Sequence, residues 1–463
     1  MEDRGVTGCS FGNEHFADAK LGDARRTRRL VKAANQMVVH PGGTLPEKIG
    51  DPAGLKALYR LMNNDAVTHE AVLACSRERT LRLMAEATGT VLVIHDTTEL
   101  DFSGLSIEGL GQIGDGRGRG YLTHNTVAVI AETRDVIGLA YQKLAKRPKV
   151  SKKETRQQRR ERPDRESRLW KQASAMIPAA APGRRQVEVA DRGADLLEFI
   201  DFVEARKKFY LLRSRHNRCI SRENGEKRKL HDFARALPAA GTKTVKVPAT
   251  RKHPARTARV SIAWAEVTLP PPKQPRGEIR GVPLRTWVIC VREIEPPKEV
   301  EPVEWILLTN VPVWNLEDAL ERITWYECRW IIEEYHKALK TGCGIETLQF
   351  TTEEGLQPAI ALLSVVALFL LNLRNASRRP DAVQRPAAEL VPMLYVVVLA
   401  LWRYKQPRED LSVHEFYYAL ARLGGHQNRK HDHPPGWLVL WRGWTKLQSM
   451  IEVANVLYIK KCG

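Results

Sequence analysis

The spacing of apolar residues changes along the chain, and each change predicts a different kind of structure. Up to about residue 70 the spacing is helical. Asp23 stands where one helix would take its N-cap, and a second helix is predicted from Asp51 to Met62. From there to about residue 378, short apolar runs typical of strands alternate with helical segments, which predicts an α/β domain. The remaining residues return to helical spacing. We therefore predict three domains, at residues 1–70, 71–378 and 379–463.

Two apolar strands in the predicted α/β domain end in a carboxylate. Residues 91–95 lead into Asp96, and residues 187–190 lead into Asp191. A strand at residues 209–213 follows, and Arg213 and Arg215 prolong it with positive charge. Residues from about 242 to 300 alternate in the manner of β-strands and contain many prolines, which predicts a β-rich insertion within the domain.

One stretch near the end of this domain combines charged and aromatic residues. If residues 326–340 form a single helix, a rotation of about 100° per residue places five side chains within an arc of about 80°. These are Tyr326, Arg329, Glu333, Lys337 and Lys340, with Trp330 beside them. One interpretation is a solvated face held by ion pairs such as Glu333 with Lys337. The other is a surface that binds phosphates and bases, which would use the aromatic rings as well as the cations. Glu334 would point about 100° away and be dispensable for chemistry.

The net charge indicates a polyanionic partner. The chain has 73 Lys and Arg against 54 Asp and Glu, a formal net charge of +19, which favours either nucleic acid or an anionic membrane surface. Membrane is the weaker choice, because the first residues lack the apolar core of a signal peptide. The longest apolar run, residues 360–371, is short for a bilayer and is predicted to be a buried helix. The basic block at residues 143–171 is either a solvated run or one wall of a DNA channel.

Two other patterns narrow the functional classes. The seven cysteines are scattered without a C-x-x-C pair, which indicates a reducing cytoplasm and argues against a disulfide framework or a structural zinc site. Residues 109–114 match G-x-G-x-x-G by letter. Neither a preceding strand nor a following helix is predicted there, so we do not interpret the match as a dinucleotide site.

Asp96, Asp191 and Glu333 form a candidate metal-binding triad. Mg2+ takes carboxylate oxygens as ligands while it keeps waters and substrate phosphate oxygens. Two such ions about 4 Å apart can activate the attacking oxygen and stabilise the leaving oxygen of an in-line displacement. Aspartates at strand ends are also common as ordinary caps, so the triad alone leaves both interpretations open.

The residues around these acids resemble those of a known family. The motif L-G-D-A-R-R-T lies at residues 21–27, I-H-D-T-T at 94–98, D-R-G-A-D at 191–195 and Y-x2-R-x3-E-x6-K at 326–340. Similarity continues through residues 421–425 and 440–444. The chain is similar over nearly its whole length to the bacterial DDE cut-and-paste transposases of the insertion-sequence-four family. It departs from them at Gly193, where the family often has glutamate, and in the strongly basic block at 143–171.

The resemblance implies roles for particular residues. Asp96, Asp191 and Glu333 would bind two Mg2+ ions, for which Mn2+ could substitute, on an RNase H-like sheet with flanking helices. Phosphates of the transposon ends would be held by Tyr326, Arg329, Lys337 and Lys340, with Trp330 and the cations Arg213 and Arg215 as further candidate DNA contacts. Trp305 would stack on a base flipped out during hairpin formation, although a core tryptophan is the alternative. Arg25, Arg26 and Arg29 would recognise the DNA ends, and the C-terminal helices would pair two subunits.

The implied function is cut-and-paste transposition in the bacterial cytoplasm. Metal-dependent cleavage at each transposon end would be followed by hairpin formation, hairpin opening and strand transfer into target DNA by a homodimer. Two alternatives stay open. One is an RNase H-like nuclease that cuts without rejoining, and the other is an inactive DNA-binding regulator.

Overall fold

The computed structural model describes residues 8–147, 154–155, 157–158, 162–222, 225–247, 255–272, 279–429, 432 and 434–459. The strands are β1 Val91–Asp101, β2 Gly111–Ile113, β3 Gly118–Ile130, β4 Val136–Ala145, β5 Gln186–Ala190, β6 Phe209–Arg213, β7 Cys219–Ser221, β8 Lys227–Lys229, β9 Gly241–Val247, β10 Arg256–Leu269, β11 Leu284–Glu293 and β12 Glu304–Thr309. The α-helices are α1 Gly8–Phe16, α2 Ala24–Val39, α3 Leu45–Ile49, α4 Pro52–Met62, α5 His69–Glu86, α6 Leu169–Ala175, α7 Leu197–Ala205, α8 Leu230–Ala236, α9 Leu316–Glu327, α10 Trp330–Lys337, α11 Glu353–Ala376, α12 Met393–Tyr404, α13 Val413–Leu423 and α14 Trp437–Ile459.

The helices α2 and α4 begin with aspartate N-caps, close to where the sequence predicts their starts. The Asp23 carboxylate accepts a hydrogen bond from the backbone N–H of Arg25 at 2.7 Å, and the Asp51 carboxylate accepts one from Gly54 at 2.5 Å. Each carboxylate satisfies a backbone donor that the first turn of a helix leaves free. The predicted cap at Asp23 is confirmed, and Asp51, predicted as the first residue of the second helix, is the N-cap of α4.

The central sheet has the strand order of an RNase H-like core. Five strands run in the order β4-β3-β1-β5-β6. The strands β1, β5 and β6 are parallel, and β3 and β4 are antiparallel to their neighbours. Helices flank the sheet, as in the expected α/β core. This architecture places the C-terminal end of β5 beside the middle of β1, where Ala190 pairs with His95.

The predicted β-rich insertion lies in the same sheet and does not form a separate one. Strand β10 pairs with β9 and β11, and β11 pairs with β12. Strand β12 returns beside β6, where Leu308 pairs with Leu212. The described residues therefore form one sheet of 12 strands. The G-x-G-x-x-G letters fall on β2 and its turns, which pair with β3 as a hairpin, so they form no dinucleotide-binding loop.

Strand β1 is longer than the sequence predicts. It continues to Asp101, so Asp96 lies in the middle of the strand and not at its end. The apolar pattern stops at His95 because the parallel pairing with β5 stops there, at His95 opposite Ala190. The antiparallel pairing with β3 carries β1 further, to Asp101 opposite Gly120. Asp96 is thus the first residue beyond the part of β1 that has neighbours on both sides.

The stretch at residues 326–340 is not a single helix, contrary to the prediction. Helix α9 ends at Glu327 and α10 begins at Trp330. Between them the backbone N–H of Arg329 bonds to the carbonyl of Tyr326 at 3.0 Å, and that of Ile331 bonds to the carbonyl of Cys328 at 2.9 Å. Bonds to the third preceding residue tighten the turn to about 120° per residue. The rotation of 100° per residue assumed in the prediction fails across this junction.

Helix α11 is the buried helix predicted from the longest apolar run. By length and composition it could cross a membrane, with a mean hydropathy of 2.1, but 78% of that window is buried inside the protein. It packs against α5, β4 and the N-terminal helices α2 and α4. It therefore serves as a core helix of the fold.

The C-terminal helices enclose a core of their own and also contact the N-terminal domain. Leu399, Phe416 and Leu447 from the three helices α12, α13 and α14 share one apolar cluster. From α14, the Trp444 indole N–H donates to the Val39 carbonyl at 3.1 Å. Helix α14 therefore packs on the end of α2 as well as on the other C-terminal helices.

Candidate active site

Asp96 and Asp191 lie side by side at one edge of the sheet. Each follows a residue of the last parallel pair, His95 and Ala190. The Asp191 carboxylate also accepts a hydrogen bond from the backbone N–H of Gly193 at 2.8 Å, which closes a short turn. A Cβ at position 193 would lie 2.9 Å from the Trp170 ring and 3.0 Å from the Asp191 carboxylate. This packing leaves no room for a side chain where the related family often has glutamate.

Helix α10 brings the third acid to the same place. Oxygens of Asp96 and Glu333 and a ring nitrogen of His336 all lie within 4.8 Å of one another. Asp191 is outside this group, but its charge acts on Asp96. Arg329 lies between the carboxylates, with Nη1 3.2 Å from Glu333 Oε1 and 3.7 Å from Asp96 Oδ2. The three predicted acids therefore converge, and one cation faces two of them.

The electrostatics of Asp96 show an excess of negative charge. Burial raises the pKa of Asp96 to about 7, helped by the charges of Asp191 and Glu333 and opposed by the Thr97 N–H and by Arg329. The arginine therefore does not compensate the acids fully. A divalent cation would remove the remaining repulsion, and an oxygen-rich donor set is what Mg2+ prefers. The residues present thus fit the metal that the triad predicts.

A buried ion network beneath the acids was missed by the sequence prediction. Glu188, 1% exposed on β5, bonds to the ring Nε2 of His95 and to Lys208 Nζ at 3.0 Å. Although burial opposes ionisation, His95 and Lys208 lower the pKa of Glu188 to about 2. The network ties β1 to β5 directly before Asp96 and Asp191. A glutamate within the apolar letters V-E-V-A was the available signal, because buried charges are paired.

The aromatic residues predicted to contact DNA fall into two environments. Tyr326 is 3% exposed, and its ring lies edge-on to that of Trp305 at 5.6 Å. Trp305 is partly buried against the main core. Trp330 is 49% exposed, and the Arg329 guanidinium lies 4.6 Å from its ring. Trp330 is therefore open to a ligand, whereas Tyr326 is largely covered.

The two lysines predicted to hold phosphates, Lys337 and Lys340, each form an ion pair with an acidic residue other than Glu333. Lys337 Nζ lies 3.2 Å from Glu334 Oε1, and its side chain is 57% exposed. Lys340 Nζ lies 3.2 Å from Glu346 Oε1. The ion pair between Glu333 and Lys337 suggested by the solvated-face interpretation is thus replaced by one with the neighbouring glutamate. Both lysines remain partly open to solvent.

The other predicted DNA contacts fall into two groups, of which one is near the acids. Arg213 is half-buried and close enough to interact with Tyr326 and Arg329, whereas the arginines of α2 lie in the N-terminal helices. Arg213 donates to the Glu304 carbonyl at 2.6 Å, and Arg215 is exposed just beyond β6. On α2, Arg25 is paired with Asp23 and Arg29 is half-buried, and Arg26 donates to the Leu21 carbonyl at 2.8 Å. The basic block at 143–171 lies partly outside the described residues.

Two comparisons with protein families bear on the chain. A family model described as "Transposase DNA-binding" matches residues 9–67, and one described as "Transposase DDE domain" matches residues 151–370. Together they cover more than half of the sequence. The second range contains Asp191 and Glu333 but not Asp96, so the placement of Asp96 beside them rests on the fold itself. The first range contains the arginines of α2.

Proposed function

We propose that this chain, a transposase of the DDE type with an N-terminal DNA-binding domain, performs cut-and-paste transposition in the manner of the insertion-sequence-four family. The observation that carries the proposal is the convergence of Asp96, Asp191 and Glu333 at one sheet edge. Its setting would be the bacterial cytoplasm. The substrate would be double-stranded DNA, both at the transposon ends and at the target.

The three carboxylates would hold two Mg2+ ions, or Mn2+ in their place. Ions bound there would activate the attacking oxygen and stabilise the leaving oxygen at phosphorus. Arg329 would contribute a fixed positive charge beside the reacting phosphate, since it already lies 3.2 Å from Glu333. One site of this kind can serve cleavage, hairpin formation, hairpin opening and strand transfer, because each step is an in-line displacement.

The surface around the acids would hold the DNA. Lys337, Lys340 and Arg329 would contact phosphates, and the half-exposed Trp330 offers a stacking surface worth about 1–3 kcal/mol per base. Trp305, half-buried with its ring centroid 5.6 Å from that of Tyr326, would stack on a flipped base. The arginines of α2 would bind the terminal repeats.

A homodimer would hold two transposon ends. The support is a stripe on α12, where Met393 is 41% exposed, Leu401 51% and Tyr404 36%. Their spacing of eight and three residues places them along one side of the helix. Within the described part of the chain, these side chains are exposed to solvent. Sedimentation with paired end DNA should show two chains per complex for the wild type and one for Leu401→Glu. An unchanged Leu401→Glu complex would place the contact elsewhere.

The proposal is tested with purified protein, Mg2+ and a plasmid that carries the gene's own flanking repeats around a marker. Transposition predicts hairpin-ended excised DNA followed by integrants in a second plasmid. Linear or nicked products without integrants would identify a nuclease instead. Binding to the repeats without any cut would identify a regulator, and either result would overturn the proposal.

A further inference from the structure

His336 is a buried histidine that neighbours the acids. It lies one turn after Glu333 on α10, is 6% exposed, and has a ring nitrogen within 4.8 Å of oxygens of Asp96 and Glu333. A histidine in such a place can bind a metal through an unprotonated nitrogen or donate a hydrogen bond through a protonated one. The hydrogen bond made by one ring nitrogen fixes whether the other nitrogen is protonated, and so whether that other nitrogen can bind a metal or donate a hydrogen bond.

Asn125 determines the state of Nε2. It lies opposite Asp96 in the pairing of β1 with β3, so both side chains leave the sheet on the same face. Its Nδ2 lies 3.2 Å from the Thr123 carbonyl and 3.1 Å from His336 Nε2. Because a backbone carbonyl can only accept, this edge of the amide is the NH2 group. The second N–H therefore donates to Nε2, which carries no proton.

The rest of the network agrees with this amide orientation. Asn125 Oδ1 accepts from Gln142 Nε2 at 2.8 Å, and Gln142 Nε2 also donates to Ser364 Oγ at 2.8 Å. Gln142 Oε1 then faces His69 Nε2 at 3.0 Å. All these side chains are buried. If the Asn125 amide were reversed, its oxygen would face the Thr123 carbonyl oxygen, and its NH2 group would face the NH2 group of Gln142. Both contacts would be repulsive, so the reversed orientation is excluded.

The consequence is that neither ring nitrogen of His336 is available to a metal. Asn125 uses the lone pair of Nε2, and in a neutral ring the single proton is then on Nδ1. We propose that His336 is a positioning residue in the Nδ1–H form, which presents a hydrogen-bond donor to the neighbouring Asp96 and Glu333 pair and orients those carboxylates without binding metal. The proposal rests on the proposed function only in taking these carboxylates as the catalytic ones.

Two substitutions of His336 distinguish the role of Nδ1 from that of Nε2. His336→Asn places an amide N–H near the former Nδ1, and His336→Gln places one near the former Nε2. If Nδ1–H orients the carboxylates, His336→Asn should keep the cleavage rate within a few-fold, and His336→Gln should lose about 10- to 100-fold, as changes behind metal ligands typically do. DNA affinity should be unchanged in both. The reverse order of activities would overturn the proposal.

A second measurement needs neither metal nor DNA cleavage. In protein labelled with 15N at histidine, two-bond 1H–15N correlations distinguish the two tautomers of a neutral ring. The signals of His336 are identified by their loss in His336→Asn, and we expect the Nδ1–H pattern in metal-free wild type. Asn125→Asp should convert it to Nε2–H, because a carboxylate accepts. An Nε2–H ring in the wild type would overturn the proposal, whereas failure of the wild type to cut DNA would overturn only the proposed function.

Discussion

Glu333 and Glu334 are adjacent on α10 and face opposite environments. Glu333 is turned towards Asp96, and Arg329 is the cation at its side, 3.2 Å away. Glu334 is turned towards the helices α11 and α14. Its Oε2 lies 2.7 Å from both Arg374 Nη1 and the Trp437 indole nitrogen. One carboxylate thus lies among other acids, and the other lies among donors.

The difference shows how one fold uses burial in two ways. At the acid cluster, burial and the neighbouring charges together raise the pKa of Asp96 to about 7. On the other side, burial also acts to raise the pKa of Glu334, but Arg374 and the Trp437 N–H lower it. Negative charge is left uncompensated at the acid cluster, whereas the charge of Glu334 is neutralised where α10 meets α11 and α14. Neighbouring residues of the same type can therefore be sorted by their partners.

The largest effect expected from this comparison is on catalysis. Under the proposed function, Glu333→Gln would remove a metal ligand and with it several kcal/mol of charge stabilisation, so strand cleavage should fall by at least about 10³-fold. Glu334→Gln is the matched control, and its cleavage rate should stay within a few-fold at a temperature where it is folded. The measurement is the rate of cleavage at the transposon ends under saturating Mg2+, compared between the two variants and the wild type. Equal losses in the two variants would contradict the division between the two faces.

The next effect is on stability as a function of pH. Because the folded pKa of Asp96 is about 7 against an ordinary 3.8, the folded state keeps a proton that the unfolded state has lost between these values. The free energy of unfolding of the metal-free protein should therefore fall as pH rises from about 4 to 7. Asp96→Asn removes this penalty, which is up to about 4 kcal/mol.

Urea denaturation with a chelator present measures this difference. Asp96→Asn should be more stable than the wild type at pH 8, and the two should converge near pH 4. Mg2+ should stabilise the wild type more at pH 8 than at pH 6, since binding needs the ionised carboxylate. If the difference in stability between the wild type and Asp96→Asn did not change with pH, the pKa of Asp96 would not be raised in the folded protein.

A smaller effect is expected at the other face of α10. Glu334→Gln leaves the Arg374 guanidinium, 6% exposed at its side chain, without the carboxylate, at a cost of about 1–3 kcal/mol. The double variant with Arg374→Met should lose less than the sum of the single losses, because no buried charge is left unpaired. Urea midpoints of the four proteins test this, and strict additivity would contradict the coupling.

Much of this site was predictable because local rules fix it. The aspartate cap of α2 satisfies a free backbone donor of its own helix. Asp191 follows an apolar strand that the sequence shows directly. The side-by-side position of Asp96 also follows from parallel strands ending at one edge, although its strand runs on to Asp101 through pairing that periodicity does not reveal.

The rest depended on contacts between distant segments. The register of residues 326–340 failed because a tight turn at Cys328 changes the rotation per residue. The partner of Lys337 is Glu334, which the fold turns towards α11 and α14. His336 becomes informative only through Asn125, 211 residues away, whose side chain is set by strand pairing.

The smallest effect concerns Lys337, which pairs with Glu334 on one face of α10 and is proposed to contact DNA beside the acids on the other. It is paired with Glu334 but 57% exposed, so Lys337→Gln should change the free energy of unfolding by no more than about 0.5 kcal/mol. If it contacts a phosphate, the slope of log affinity against log salt for end DNA should decrease by about one. Fluorescence anisotropy over a salt series measures the slope, and Lys405→Gln, an exposed lysine just after α12, should leave it unchanged. An unchanged slope with a loss of more than about 1 kcal/mol would assign Lys337 to the face that docks the C-terminal domain.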